Sequence, residues 1–336
     1  MHDTLITAPT YIYVPEPSYG LLEIHGPDAE DLLHRLSTND IMQLDVGGSI
    51  TTVFANPKGR IIDRVRIAKT HHAIYLYTSP DAAPIIKKWL DSYTFMEDVT
   101  VIDITEKKQT LEVMGARADD ILNKLNAIHE ISPNEYNQFH GMTPNETRSF
   151  PLCDSIQENT LVITRTDDPI YPCYLVQVQS SYVDKFLAAE LPNTQWLSPS
   201  ERDALRIYAG IPKAPNEINL KTNPLEIGLR TDISFNKGCY IGQEVILRLD
   251  TYKKVKRHLV KVSLGAGTTP LVGSDIVIKG STLSSGRLTS IAEKIDGGFE
   301  GLALIKSGVR DYDQDFEIHQ PGVKLQTYLY PIETSQ

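Results

Sequence analysis

Lys237-Gly238-Cys239-Tyr240-Ile241-Gly242-Gln243-Glu244 sets one thiol between two glycines, with a lysine two residues before it and a Gln-Glu pair behind it. Glycine accepts backbone angles that other residues resist and lets backbone or ligand approach closely. The pattern therefore predicts a cysteine held at a surface turn rather than sunk in a core. Positive charge on Lys237 favours the thiolate, the reactive form of a cysteine. Gln243 and Glu244 are expected to begin a helix, where a carboxylate suits the N-terminal dipole; for Glu244, capping is the favoured role. Taken alone, the octapeptide reads more readily as a tight turn with an incidental small residue at its apex, so the rest of the chain must decide.

Composition narrows the choice. A chain of 336 residues is too long for one ordinary core, and two or three domains are expected. Apolar content of 41% with 23% charged residues describes a globular protein with a packed interior. A net charge of −10 argues against broad nucleic-acid binding, which needs basic surface to neutralise phosphates. No stable nucleic-acid partner is expected, although Lys253, Lys254, Lys256 and Arg257 form a local basic patch. Cys153, Cys173 and Cys239 are too few and too scattered for a disulfide framework or zinc site, and a reducing, cytoplasmic compartment fits them best. His71-His72 and the other histidines show no metal spacing. No apolar run reaches membrane-spanning length, and Met1 to Pro9 has no signal pattern, so no membrane association is expected.

Working outward, Leu21-Leu22-Glu23-Ile24 suggests a strand. Gly26-Pro27-Asp28 then opens a helix whose Ala29, Leu32, Leu33 and Leu36 follow helical spacing. Strand-like runs cover 50–55, 61–68 and 73–78, and Asn56-Pro57-Lys58-Gly59 reads as a hairpin turn between the first two. A helix over 81–93, strands near 99–104 and 110–113, and a helix over 118–125 continue a mixed α+β pattern without a glycine-rich nucleotide loop. Residues 129–158 read as a polar connection, 161–164 and 174–179 as paired strands, and 181–190 as a helix.

Ser198-Pro199-Ser200-Glu201 is a capping box with proline at the first helical position. The helix it starts carries Ala204, Leu205, Ile207 and Tyr208 on its apolar side and stops at Gly210, Pro212 and Pro215. After residue 255 short β segments at 259–264, 275–279, 287–292, 301–305 and 323–328 predict a small barrel. The expected organisation is a region 1–255 followed by a β-barrel domain 256–336.

Several further stretches gain meaning together. They are Leu36-Ser37-Thr38-Asn39-Asp40-Ile41, Asn56-Pro57-Lys58-Gly59-Arg60-Ile61-Ile62-Asp63, and Arg202-Asp203-Ala204-Leu205-Arg206-Ile207-Tyr208-Ala209-Gly210. Gly286-Arg287-Leu288-Thr289-Ser290 and Gly301-Leu302-Ala303-Leu304-Ile305 follow in the barrel region. In this order, and with the octapeptide, they resemble the YgfZ-type folate-binding proteins, relatives of the glycine-cleavage T-protein, an aminomethyltransferase. The resemblance extends from about residue 20 to residue 306. It implies an α+β fold with two related α+β lobes and a C-terminal β-barrel in a three-lobed ring, binding tetrahydrofolate or a derivative. It also implies iron–sulfur enzymes or assembly proteins as partners, tRNA-modifying enzymes among them. The alternative is a folate-dependent aminomethyltransferase or related C1 transferase.

The same resemblance assigns roles. Asp63 stands where T-proteins carry adjacent acidic residues near the folate, with Arg64 in place of the second acid. A carboxylate there accepts a hydrogen bond or moves a proton; the competing reading is an exposed strand or turn aspartate. Arg202 and Arg206 lie one helical turn apart, and guanidinium groups grip carboxylates such as those of the folate tail, unless Glu201 and Asp203 occupy them; Arg206 is the favoured one because it sits inside the apolar run. Arg165 heads a loop similar to the T-protein "RTG" segment. The loop continues as Thr166-Asp167-Asp168-Pro169-Ile170-Tyr171 without that family's glycines and glutamate, a departure that weighs against aminomethyl transfer itself. Tyr171 is a candidate to stack on a pterin. Cys239 separates the YgfZ-type branch from T-proteins, and its thiol is the candidate nucleophile, iron–sulfur or persulfide contact, or redox sensor.

Overall fold

The computed structural model describes residues 10–116, 118–119, 122, 141–151, 160–168, 171–181, 183, 194–294, 297–309 and 311–332. They fall into two compact units, residues 1–52 with 64–199 and residues 53–63 with 200–336.

In the first unit the chain runs β1 (Thr10–Tyr13), β2 (Gly20–His25), α1 (Ala29–Leu36), β3 (Ser49–Ala55), β4 (Ile61–Lys69), β5 (Ile74–Thr78) and α2 (Ala83–Asp91). It continues through β6 (Thr100–Asp103), β7 (Lys108–Met114), β8 (Thr147–Pro151), β9 (Thr160–Arg165), β10 (Cys173–Gln179) and β11 (Thr194–Trp196). One sheet has the order β3-β4-β5-β2-β6 and the other β11-β1-β7-β10-β9-β8. The tip of the β3–β4 hairpin groups with the second unit.

Strand alternation gives the six-stranded sheet two different faces. Leu111, Val113, Leu161, Ile163, Val176 and Val178 lie on one, in an apolar core with Ile12 and Phe150. The other face is also buried yet carries Lys108, Thr110, Glu112, Thr164 and Gln177. There Val162 and Leu175 pack with Leu21, Ala68, Tyr75 and Tyr77 of the five-stranded sheet. The Tyr77 hydroxyl donates to Gln177 Oε1 at 3.0 Å. Lys108 lies 5.6 Å from the Tyr75 ring centroid, and burial pushes its pKa down. α1 buries Ala29, Leu32, Leu33 and Leu36 and stops at Ser37, whose hydroxyl donates to Leu33 O. Asn39 then bridges to β3, donating from its backbone to Thr52 Oγ1 and from its side chain to Thr51 O.

Strand β8 crosses the stretch 129–158 that reads as a polar connection. Its pairing with β9 supplies an order that the weak apolar signal of Thr147–Pro151 does not announce. The helices expected over 118–125 and 181–190, and Cys153, fall largely or wholly outside the described residues. No described helix is long and apolar enough to cross a membrane.

The second unit holds α3 (Pro199–Ala209), α4 (Gln243–Thr251) and a closed barrel. Its strands are β12 (Arg257–Leu264), β13 (Asp275–Ile278), β14 (Ser284–Glu293), β15 (Phe299–Lys306), β16 (Phe316–Gln320) and β17 (Val323–Pro331). Strand β16 had no clear sequence signal; it is recruited between β13 and β17. Val260, Val262, Leu288, Ala303, Ile305, Phe316 and Ile318 fill the barrel. Leu302 and Leu304 point the other way, into a core with Val53, Ile61, Ile207, Ile227 and Leu229. Tyr208 is not part of that apolar side: it is 60% exposed, with the Lys261 amine over its ring.

A register shift between Leu288 and Ser290 makes Thr289 an extra residue in β14. One inserted residue reverses the in–out alternation. Leu288 and Ile291 therefore both face the barrel core, while Ala292 joins the outer one, and Ser290 meets α3. Arg206 on α3 donates to Ser290 Oγ at 2.7 Å and to Glu217 at 3.1 Å, and Ser290 donates to Glu217 at 2.6 Å. Asp203 accepts from the same guanidinium at 3.0 and 3.2 Å. Burial pushes the Asp203 carboxyl up, but Arg206 and Lys213 outweigh it and hold it below 3.8.

Glu217 is fully buried, so removing its partner strands a charge in the interior. Arg206→Leu should lose about 3–5 kcal/mol in denaturant unfolding, and adding Glu217→Leu should restore much of it. A depressed carboxyl pKa contributes stability above its unfolded value that is lost as pH falls. The deficit of Arg206→Leu should accordingly shrink below pH 3.8. Additive losses in the double variant would contradict this account.

Candidate functional site

The octapeptide lies in the second unit, after a 3₁₀ segment ending at Asp232, and its Gln243 and Glu244 are the first residues of α4. Its anchors alternate with its exposed positions. Lys237 and Tyr240 are buried, while Gly238 and Cys239 between them are exposed. Tyr240 packs with Ala55, Ile233 and Ile246, and the Lys237 amine lies 5.3 Å from its ring centroid. Gln243 closes the loop twice: its backbone N–H donates to Tyr240 O at 3.2 Å and its side chain to Gly238 O at 3.2 Å. The result is a short arch, fixed at both feet, with the free thiol of Cys239 at its crest. The Tyr240 hydroxyl is buried with no hydrogen-bond partner among the described residues, and burial raises its pKa to about 12.

Gly242 is the N-cap of α4 with φ +86°, and a methyl group there would sit 2.6 Å from Asn56 O. The hairpin turn Asn56–Gly59 is thereby brought against the octapeptide. Asn223 secures the turn by donating to Gly59 O at 2.7 Å, and Ile61 N donates to Thr222 O at 3.1 Å. Arg60 and Arg257 both bind the buried Glu226 carboxylate. Two of the motifs read from the sequence therefore form one packed assembly, and the α3 and barrel motifs meet in the Arg206–Ser290–Glu217 network.

Asp63 follows on β4 and is 1% exposed, which removes the exposed-turn reading of this aspartate. Glu244 stands exposed in the first turn of α4, where its charge suits the helix terminus. Arg202 is half-buried on α3. Arg206 faces inward, with donors occupied by Asp203, Glu217, Ser290 and Ile211 O.

The other two sequence-derived residues lie in the first unit. Arg165, at the end of β9, donates to Met142 O and lies over the Tyr174 ring, while its buried Nε has no partner among the described residues. Tyr171 packs against Tyr11, ring centroids 6.0 Å apart, and its N–H donates to Asp168. The departure at Asp167 has a structural counterpart: Arg66 binds Asp167 and Asn145 together. Burial pushes the Asp167 carboxyl up, but the charge of Arg66 prevails and holds it below its ordinary value. Sequence reading missed Arg66, Glu217 and Glu226. An isolated charge in a strand or loop carries no local sign that it will be buried with a partner. Among the described residues no group of three or more His, Cys, Asp or Glu could hold a metal ion.

Residues 17–151 match the GCVT N-terminal domain family. A protein of Arabidopsis thaliana whose name reads "Putative transferase, chloroplastic" is 31% identical over 294 residues, covering 86% of this chain and 63% of its own length. The aminomethyltransferase of Caldanaerobacter subterraneus is 26% identical over 268 residues, covering 76% of this chain and 67% of that one. The crystal structure of aminomethyltransferase T of the glycine cleavage system from Bartonella henselae superposes with a TM-score of 0.79 at 17% identity. That superposition covers 98% of this chain and 88% of that one. These matches support the T-protein superfamily. The T-protein fold, α+β with a closed six-stranded barrel, is the fold of this chain.

Within that fold Gly242 is a steric requirement of the arch. Gly228 also has positive φ, +79°, but a methyl group there meets nothing within 4 Å. Both Gly→Ala changes should cost about 1–3 kcal/mol from the backbone conformation. Gly242→Ala should cost distinctly more in denaturant unfolding because it also collides with Asn56. Equal losses at the two sites would remove the hairpin contact from the account.

Proposed function

We propose that this chain is a YgfZ-type folate-binding accessory protein that supports assembly or repair of iron–sulfur enzymes, tRNA-modifying enzymes among its clients. The observation that carries the proposal is the exposed thiol of Cys239 on an arch clamped at both ends. A nucleophile meant to meet another macromolecule must be accessible, and fixed feet lower the entropy lost on engagement. An exposed, unpaired thiol also suits a reducing compartment.

Tetrahydrofolate, when bound, supplies a carrier for one-carbon units; the fit of the residues to it is partial. Asp63 offers a buried carboxylate as hydrogen-bond acceptor for a pterin N–H. Arg206 is a poor grip for the glutamate tail because its donors are already engaged, so we assign it a structural role. Lys237 directs its charge at Tyr240 and stiffens the arch beneath Cys239.

The second reading is a folate-dependent C1 transferase, favoured by the names of the relatives, a transferase and aminomethyltransferases. Against it stands the Asp167–Arg66 pair in the loop where T-proteins carry glycines and a glutamate. Glycine cleavage with a lipoylated carrier protein separates the two, and no turnover is expected.

Two measurements test the proposal. Calorimetric titration with tetrahydrofolate should give saturable heat, and a flat titration would remove folate from the function. Cys239→Ala in the native host should lower iron–sulfur enzyme activity to the level of a deletion strain. Full activity of that variant, beside a deficient deletion strain, would exclude a role for the thiol.

A further inference from the structure

We propose that the second unit carries a docking strip for single-stranded nucleic acid, formed by the hairpin turn of residues 56–60, residue 221, and the segment from the last turn of α4 to the start of β12. This goes beyond the folate reading and does not rest on it. Lys58, Lys221, Arg248, Lys254 and Lys256 are all exposed, and none has an acidic partner among the described residues.

Hydrogen bonds tie the segments that carry them. The Lys221 carbonyl accepts from Arg60 at 3.1 Å and from Arg257 at 2.7 Å, which joins the turn, residue 221 and β12. Lys256 directly precedes Arg257, and Lys254 N donates to Leu249 O in the final turn of α4, beside Arg248. The acidic groups among these segments are already committed. Glu226 is buried between Arg60 and Arg257, and Asp250 pairs with Arg230 and Lys253. Positive charge therefore remains uncompensated at the surface of a chain whose net charge is −10. That balance argues for local attraction rather than long-range steering.

Tyr252 decides the class of partner. It is 64% exposed amid these cations, and the Lys254 amine lies 5.6 Å from its ring centroid. Spaced cations that meet phosphates beside an exposed aromatic face that stacks on a base are the recurring chemistry of single-strand binding. An acidic polypeptide would neutralise the lysines but gain little from the ring. A paired duplex would keep its bases stacked away from it.

The test uses the full chain and a fluorescent single-stranded RNA of mixed sequence, about 16 nucleotides long, followed by anisotropy over a range of salt concentrations. Binding should weaken linearly on a log–log plot. Lys254→Gln with Lys256→Gln should lower the slope by about 0.7 for each phosphate no longer neutralised. Tyr252→Ala should weaken binding at least about fivefold, while the far-ultraviolet circular dichroism and thermal unfolding midpoint of the same variants are unchanged and report that they are folded. No binding at low salt, or binding indifferent to these substitutions, overturns the proposal. Competition by polyglutamate as strong as by unlabelled RNA, with Tyr252→Ala neutral, overturns it in favour of an acidic polypeptide.

Discussion

A carboxylate with no access to water must be answered by charge and hydrogen bonds from within, because desolvation costs more than packing around it returns. Glu217 is in that position, and the second unit is organised around the answer. Arg206 from α3 supplies the charge, and Ser290 from β14 supplies a hydroxyl that accepts from the arginine and donates to the glutamate. Ser290 faces α3 only because Thr289 is extra in the strand. Asn216 adds donors to Ser290 Oγ and Thr289 O, which fixes the bulge from the loop side. Helix, loop and barrel are held in one arrangement, since any other pairing strands an ion in the interior.

The same solution recurs at Glu226, where one buried carboxylate takes two arginines from segments far apart in sequence. It joins the hairpin turn to β12 and, through the capping of its own 3₁₀ turn by Asn223, to Gly59. The octapeptide arch rests on this assembly through Gly242 and Tyr240. The accessible thiol of Cys239 therefore depends on interactions that involve no cysteine chemistry. Glycines at the contact let the two backbones close, and buried ions behind them prevent sliding.

Periodicity made the framework legible. The 3.6-residue repeat of Ala29, Leu32, Leu33 and Leu36 marked α1, and strand-like runs bounded by turn residues marked β4 and most barrel strands. Turn chemistry marked the hairpin at Asn56–Gly59 and the octapeptide turn. Non-local pairing hid the rest. Thr147–Pro151 and Phe316–Gln320 become strands because neighbours accept their hydrogen bonds. Burial of Asp63 was hidden for the same reason, since alternation on β4 places it inward yet its charge suggests solvent. Tyr208 erred in the opposite sense: helical spacing put it on the apolar side, but the packed stripe of α3 is narrow enough to leave it outside.

The two faces of the six-stranded sheet bear on where a ligand-binding function can reside. A purely apolar interface between sheets would be more stable than one that contains Lys108, Glu112 and Gln177, each of which must find partners in the interior. The apolar core on the opposite face shows that this sheet readily supplies such packing. Retaining buried polar groups on one face only, with Gln177 Nε2 and Thr110 Oγ1 left without hydrogen-bond partners among the described residues, marks an incompletely satisfied interior. Such an interior yields stability in exchange for polar capacity, and the T-protein fold here keeps that capacity on one side of a single sheet.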